Sequence, residues 1–378
     1  MKLIYLSFSK LTKRIIDDYY IEKFINAGVN VSYWDLTEFL HLPHTDYGEI
    51  NAEYLLKINS YHEFVLMLKK NSDSIFITNI PYNISFIYFY LLLSKYKINF
   101  SYIVYGPKPS LKSSKVNRLR KYLSSPFFFI RLFIENLIIV KIPLFLRQIK
   151  YYENYFTPTG LNCGLLKSKR IIKINYIDYD RYLDSKFFKN PLVDINYAVY
   201  LDTNLTAHND LLLWGLQLID KKRYYDNLNS YFDSIEKRHN LKIVIAAHPS
   251  AVYISNPFNG RKIFYRNTQN LTKFCSFGIV DSSSSISYLV MNSKPFYLIY
   301  SQQFISNYNH HVMPTINTYK DFFFIEPQCI DDNLSYSDAE LITPNLEIYK
   351  KYMYEYLTSH ETQHIDSFSI IYKRLISH

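Results

Sequence analysis

Short apolar runs with β-forming residues alternate with segments of helical spacing along most of this chain. In the first forty residues, Leu3–Phe8 predicts a strand, Leu11–Ala27 predicts a helix that stops at Gly28, and Val29–Trp34 predicts a second strand. Strands that alternate with helices form parallel sheets covered by helices on both faces. The alternation therefore predicts an α/β fold.

The length of 378 residues fits two domains better than one. Residues 1–190 hold the first set of alternating segments, and residues 191–378 hold a second set that begins with the strand-like run Asn196–Leu201. No GxGxxG, P-loop or GxSxG sequence is present, so the sequence gives no support to a dinucleotide oxidoreductase, a P-loop NTPase or an α/β-hydrolase. We expect two Rossmann-like domains with a boundary near residue 190.

The formal net charge of +10 predicts an anionic partner. Residues 108–150 contain ten Lys or Arg residues and one acid, Glu135, interleaved with apolar runs such as Phe127–Ile130. Charges interrupt this segment too often for a transmembrane helix, which needs about 20 mostly apolar residues. It fits either a segment lying on an anionic membrane surface or a buried helix pair with solvated ends. Long aliphatic stretches and the lack of a nucleic-acid-binding module argue against a nucleic-acid partner.

The three cysteines, Cys163, Cys275 and Cys329, are too widely spaced for a disulfide framework or a cysteine-rich zinc site. The adjacent His310 and His311 point in different directions on a helix or a strand, and no second ligand pair lies at metal spacing. The N-terminal apolar run is too short for a signal peptide. We therefore expect no metal, no cofactor and a cytoplasmic location, with peripheral attachment to the inner membrane face left open.

Polar side chains follow three predicted strands of the second domain at the point where each strand ends. In chain order they are Asp202, His208 and Asp210; His248, Pro249 and Ser250; and Asp281 with Ser282, Ser283, Ser284 and Ser285. Ligands of open parallel sheets bind beyond the carboxyl ends of the strands. If the three strands are neighbours, these groups meet in one crevice.

The four consecutive serines precede a helix predicted to begin near Ile286. They either cap this helix or join its N–H groups in binding a phosphate, and we favour phosphate because four serines exceed what capping needs. His248, stiffened by the next proline, is either a catalytic and donor-binding residue that donates a hydrogen bond to a ribose, a phosphate or the leaving group, or a structural histidine. Asp210 is either a helix cap or a general base.

The run Lys242–Pro249, followed by Ser282–Ser287 and Ser293–Phe296, resembles the C-terminal domain of GT-B glycosyltransferases that build bacterial surface polysaccharides. It is most similar to sialyltransferases, polysialyltransferases and related nonulosonate transferases, and covers residues 190–305. Teichoic-acid polymerases and UDP-sugar 2-epimerases have similar strand-end histidines and serines. The resemblance implies the GT-B fold, with an acceptor domain and a donor domain facing each other across a cleft.

The resemblance also implies the reaction. A nonulosonic acid, such as sialic, legionaminic or pseudaminic acid, would pass from a CMP donor to a hydroxyl of a surface glycan or lipid-linked acceptor, without a metal. His248 and Pro249 would contact the cytidine phosphate or ribose, and the serines the donor phosphate. We also place Asp202, His208 and Ser250 in the donor site from their positions. The alternative for Asp202, at the end of a strand, is to organise the interdomain loop.

The catalytic base is less well defined by the resemblance. The family's acidic pair followed by glycine is represented here only by Asp46-Tyr47-Gly48-Glu49. Asp46, Glu49 and Asp210 are therefore the candidate bases. Two alternatives stay open: a UDP-sugar-dependent transferase or 2-epimerase on the same fold, and a non-catalytic, membrane-associated protein of polysaccharide assembly.

Overall fold

The computed structural model describes residues 2–41, 48–104, 141–146, 148–158, 165–185, 188–207, 216–331 and 340–376, together with Ile134, Leu137 and Gly160. These residues form two compact units. Unit 1 comprises the described residues up to Asn175 and the returning segment that starts at Ser359, and unit 2 comprises Tyr176–Thr358.

Each unit is built on one parallel sheet. The sheet of unit 1 has the strand order β3-β2-β1-β4-β5-β6-β7, and that of unit 2 has the order β10-β9-β8-β11-β12-β13. The strands are β1 (Lys2–Ser7), β2 (Asn30–Asp35), β3 (Leu55–Lys57), β4 (Ile75–Thr78), β5 (Phe100–Ile103), β6 (Tyr152–Thr157), β7 (Ser168–Lys173), β8 (Tyr197–Leu201), β9 (Lys242–Ala247), β10 (Ile263–Tyr265), β11 (Gly278–Val280), β12 (Phe296–Tyr300) and β13 (Gln328–Cys329). Both orders are doubly wound, so the predicted α/β fold with two Rossmann-like units is confirmed.

Helices connect most of these strands. They are α1 (Lys13–Asp18), α2 (Ile21–Asn26), α3 (Tyr61–Lys70), α4 (Ile87–Lys95), α5 (Ile142–Phe145), α6 (Ile177–Ser185), α7 (Lys221–His239), α8 (Thr268–Phe274), α9 (Ile286–Met291), α10 (Gln302–Tyr308), α11 (Met313–Phe323), α12 (Leu346–Tyr352) and α13 (Ser367–Leu375). A 3₁₀ turn precedes α4 at Ile84–Phe86, and a π turn follows α12 at Met353–Leu357.

The division between the units lies before the boundary expected near residue 190. Helix α6 belongs to unit 2 because Asp178 on it accepts a hydrogen bond from the Tyr288 hydroxyl at 2.9 Å. The chain later returns to unit 1, where Phe368 on α13 packs edge-on against Phe24 with ring centroids 5.0 Å apart. Contacts between residues far apart in sequence therefore place α6 in unit 2 and α13 in unit 1.

One predicted helix has different bounds in the structure. The run predicted as one helix from Leu11 is two short helices, because Tyr20 between them has a left-handed backbone with φ of 55°. The backbone geometry of this single residue interrupts the helical pattern. Helix α7 begins at Lys221, where the Asp220 side chain accepts from the N–H of Arg223 and caps it.

Candidate functional site

The site expected from the sequence lies at the carboxyl ends of three adjacent strands of unit 2. Strand β8 pairs in parallel with β9 on one side and with β11 on the other. The strand order reverses between β8 and β11, which is the position where doubly wound sheets bind ligands. The strand ends carrying Asp202, His248 and Asp281 are therefore next to one another.

Asp281 follows β11 and is completely buried. Its carboxylate accepts from the Thr203 hydroxyl at 2.8 Å, from the Tyr200 hydroxyl at 3.2 Å, and from the N–H of Ser282. Burial raises the pKa of Asp281 from 3.8 to about 6, against the hydrogen bonds from Thr203 and Ser282, which lower it. This carboxylate is out of a ligand's reach and ties the end of β8 to the turn after β11.

Asp202 follows β8 and is also buried, with 6% of its surface exposed. One carboxylate oxygen accepts from the N–H of Asn204 at 2.9 Å. The other accepts from the N–H of His248 at 3.1 Å and from the Tyr253 hydroxyl at 2.6 Å. Asp202, which we expected to bind the donor, thus has both oxygens bonded to protein groups, one within its own loop after β8 and the other to two groups of the loop after β9.

His248 lies in a tight turn directly after β9, closed by a hydrogen bond of 2.9 Å from the N–H of Ala251 to the His248 carbonyl. The ring nitrogen Nδ1 accepts from the N–H of Ser250 at 3.3 Å, and the Ser250 Oγ lies 2.8 Å from it. Because Nδ1 accepts, the neutral ring carries its proton on Nε2. His248 is only partly buried, and Pro249 and Ser250 are exposed.

The serines 282–285 form the turn between β11 and α9. The Ser283 Oγ accepts from the N–H of Ser285 at 3.4 Å, and the Ser283 carbonyl accepts from the Tyr319 hydroxyl at 3.2 Å. Helix α9 begins at Ile286, as predicted, but the Ser285 side chain makes no capping hydrogen bond. Ordinary N-capping therefore does not account for the last serine of the run.

Gly278 sets the distance between β11 and α9. A Cβ added at Gly278 would lie 2.2 Å from the Cδ1 atom of Leu289, which is fully buried on α9. Only glycine therefore lets this helix pack closely on its strand, in the way that small residues serve close helix–strand packing in other Rossmann units. The close packing fixes the position of the serine turn that joins the two elements.

Glu49 is the one candidate base that the structure describes. Its carboxylate forms ion pairs with the ammonium groups of Lys57 and Lys10, the latter at 3.4 Å. The hydrogen bond from Lys57 lowers the pKa of Glu49, and Lys10 acts in the same direction against desolvation. Two cations make this carboxylate a weaker base.

The other candidate bases, Asp46 and Asp210, lie outside the described residues, as do His208, Cys163 and most of the basic segment 108–150. In the described part of that segment, Phe145 and Leu146 are 85% and 56% exposed. Within the described ranges, no helix is both long enough and apolar enough to cross a bilayer. Across the same ranges, no three His, Cys, Asp or Glu side chains are grouped so as to bind a metal ion.

Three residues of this network were not selected from the sequence: Tyr200, Thr203 and Tyr253. Tyr200 lies in β8 and Thr203 just beyond it, and both contact Asp281. Thr203 could have been selected from the sequence, because it comes directly after Asp202 at the end of a predicted strand. Nothing in the local sequence distinguishes Tyr253 among the 38 tyrosines of this chain.

No protein-family model and no curated protein sequence matches this chain. The solved structures that resemble it include UDP-GlcNAc 2-epimerase from Methanocaldococcus jannaschii, in complex with UDP-GlcNAc and UDP, at 13% identity and a TM-score of 0.44, covering 93% of this chain and 98% of that one. The wall teichoic acid polymerase TagF has 12% identity and a TM-score of 0.42, covering 100% and 84%. The glycosyltransferase SnogD from Streptomyces nogalater has 9% identity and a TM-score of 0.46, covering 94% of each chain.

Proposed function

We propose that this chain is a glycosyltransferase and that unit 2 binds its nucleotide-sugar donor. The observation that supports this most directly is the meeting of three polar strand ends at the point where the strand order of unit 2 reverses. The serine turn and the partly buried His248 lie there, above a buried network formed by Asp202 and Asp281. The network fixes the positions of both loops, as a preorganised binding site requires.

The donor phosphate is assigned to the loops after β9 and β11. The imidazole of His248 carries its proton on Nε2 and so offers a hydrogen bond to a phosphate or ribose oxygen. The hydroxyls of Ser284 and Ser285, both half-buried, supply further donors. These hydrogen-bond donors stabilise a departing phosphate without a metal ion.

A CMP-linked nonulosonic acid is the donor that we favour. The preference comes from the sequence resemblance of His248-Pro249 and the serine run to nonulosonate transferases. CMP is a good leaving group, so we propose a reaction without metal or cofactor. The acceptor is proposed to be a hydroxyl of a surface glycan or a lipid-linked glycan.

In the proposed reaction, an acceptor oxygen forms a bond to the anomeric carbon while the bond from that carbon to the donor phosphate breaks. The acceptor proton passes to a carboxylate, and CMP leaves with its negative charge held by His248 and the serines. The ion pairs of Glu49 with Lys10 and Lys57 reduce its basicity, so we propose Asp46 or Asp210 as the base.

A thermal-shift series with CMP, CDP, UMP, UDP and GDP tests the donor assignment. We expect CMP to raise the melting temperature, because a ligand that binds only the folded state stabilises it by about 2.7 kcal/mol at a hundredfold excess over its Kd. Cytidine, which lacks the phosphate, is the matched control and should give a smaller shift.

Each of the other results would indicate a different function for this chain. A shift with UDP alone would contradict the CMP assignment and favour a UDP-sugar transferase or a UDP-sugar 2-epimerase. An epimerase would convert its donor without any acceptor. No shift with any nucleotide would contradict the donor site and favour a non-catalytic protein of polysaccharide assembly.

We also propose that the basic segment 108–150 holds the protein at the inner membrane face. The high exposure of Phe145 and Leu146 supports this, because apolar side chains beside basic residues suit the surface of an anionic bilayer.

We expect the protein to sediment with vesicles containing phosphatidylglycerol, and to remain in solution with vesicles of phosphatidylcholine alone. Replacement of Phe145 and Leu146 with serine should reduce the bound fraction severalfold, since about 1.5–3 kcal/mol is associated with each buried apolar side chain. Equal binding to both vesicle types would contradict the proposal.

A further inference from the structure

We propose that Asp202 and Tyr253 are positioning residues, which together hold the loop of His248 in its place and do not contact the ligand. The inference rests on the proposed donor site of unit 2. We expected Asp202 to bind the donor, and the proposal gives this carboxylate a positioning role instead. It also adds Tyr253 to the site.

The geometry of Asp202 carries the first step. A single carboxylate oxygen, Oδ2, accepts from the N–H of His248 at 3.1 Å and from the Tyr253 hydroxyl at 2.6 Å. The loop is thus attached to the end of β8 at its first residue and again five residues later. The other oxygen is bonded to the N–H of Asn204, and 6% of the residue is exposed. A buried carboxylate with these partners orients the loop, and a ligand reaches the loop before it reaches the carboxylate.

The exposure of the loop identifies Tyr253 as its inward contact. Val252 and Ile254, on either side, are 67% and 101% exposed. The ring of Tyr253 packs edge-on against the buried Phe258, with centroids 5.3 Å apart, and its hydroxyl reaches Asp202. Of the three consecutive residues, only Tyr253 therefore attaches the loop to the unit.

The charge state of the pair suits this role. Burial raises the pKa of Tyr253, and the negative charge of Asp202 raises it further. The phenol therefore keeps its proton and donates it to a carboxylate, which makes a strong charge-assisted hydrogen bond. Loss of that donor frees the loop after β9 and with it the imidazole of His248.

Replacement of Tyr253 with phenylalanine tests the proposal most cleanly, because the ring and its packing on Phe258 are kept. With the nucleotide sugar identified by the thermal-shift series, we expect Y253F to lower kcat by about 10- to 100-fold, the loss that misplacement of a site group by about 1 Å produces. KM should change less than about threefold, because the phosphate donors of the serine turn are unaltered. Hydrogen exchange of residues 248–256 should become at least about tenfold faster, with the rest of the chain unchanged.

A double-mutant cycle separates positioning from a general loss of stability. If Tyr253 acts through His248, Y253F should have less than about a twofold effect on kcat in an H248A background, because the group being positioned is gone. Y265F, which removes the hydroxyl of an exposed tyrosine at the end of β10, is the matched control. Its kcat and its hydrogen exchange at residues 248–256 should match those of wild type.

Two results overturn the inference. Wild-type kcat in Y253F would show that the hydrogen bond is structural only, and an equal loss in the H248A background would show that Tyr253 acts independently of His248. Failure of the donor site itself is recognised differently. In that case H248A alone keeps full activity, while faster exchange of residues 248–256 in Y253F still reports the attachment of the loop.

Discussion

Replacement of His248 with alanine is expected to lower kcat/KM for sugar transfer by about 10- to 100-fold. The Nε2 proton of His248 would donate to an oxygen of the donor, and hydrogen bonds to charged groups contribute about 1.5–3 kcal/mol, which corresponds to a loss of that size. The measurement is the initial rate of nucleotide release, with donor concentrations on both sides of KM. A fall in kcat and kcat/KM together would place the interaction in the transition state.

The fold should survive this substitution. The ring is only partly buried, and its hydrogen bonds with Ser250 lie within the same turn, so the free energy of unfolding should change by no more than about 0.5 kcal/mol. His310→Ala is the matched control, because His310 is an exposed histidine in a turn of the same unit. Full transferase activity in H248A would remove the loop after β9 from the donor site.

The sequence predicted the architecture of unit 2 because its central strands have strong patterns. All five residues of β8 are buried, and β9 has five consecutive buried residues. Continuous apolar runs of this kind are typical of strands covered on both faces. Strands β10 and β13 have only three and two residues, and so short a run contains no period that distinguishes a strand from a loop.

The candidate site was predictable only in part, and the reason is geometric. Asp202, His248 and Asp281 each follow a strand, so their meeting follows from strand order alone. Tyr253 lies in a loop and contacts a carboxylate 51 positions away, which no local pattern encodes. The abundance of tyrosine in this chain gives a single tyrosine little weight in the sequence, although its hydroxyl decides where the loop lies.

Asp281 should make the protein less stable as pH rises from 4 to 7. Its pKa is about 6 in the folded protein and is near 3.8 in the unfolded chain, so between these values the folded state binds more protons. The contribution of Asp281 to stability is therefore greatest below pH 4, falls as pH rises through the window, and is constant above it. A shift of two pKa units corresponds to about 3 kcal/mol in total, of which about 2 kcal/mol is lost between pH 4.5 and 7.5.

Asp281→Asn isolates this contribution. The asparagine side chain does not titrate, and the hydroxyls of Thr203 and Tyr200 accept as readily as they donate, so its amide can be satisfied in the same place. Urea unfolding at pH 4.5, 5.5, 6.5 and 7.5 gives the free energy of unfolding of each protein. The value for D281N relative to that for wild type should increase by about 2 kcal/mol from pH 4.5 to pH 7.5. For Asp226→Asn, at an exposed position on α7, the free energy of unfolding should depend on pH in the same way as for wild type.

The combined result for stability and binding shows why the chain keeps a buried carboxylate here. If D281N is more stable at pH 7.5 and binds nucleotide more weakly, the charge is retained for the site at the expense of stability, a pattern common at functional positions. Equal nucleotide affinity would mean that Asp281 serves only to join β8 to the turn after β11. A wild-type stability profile parallel to that of D281N would contradict the raised pKa itself, and the buried position of Asp281 with it.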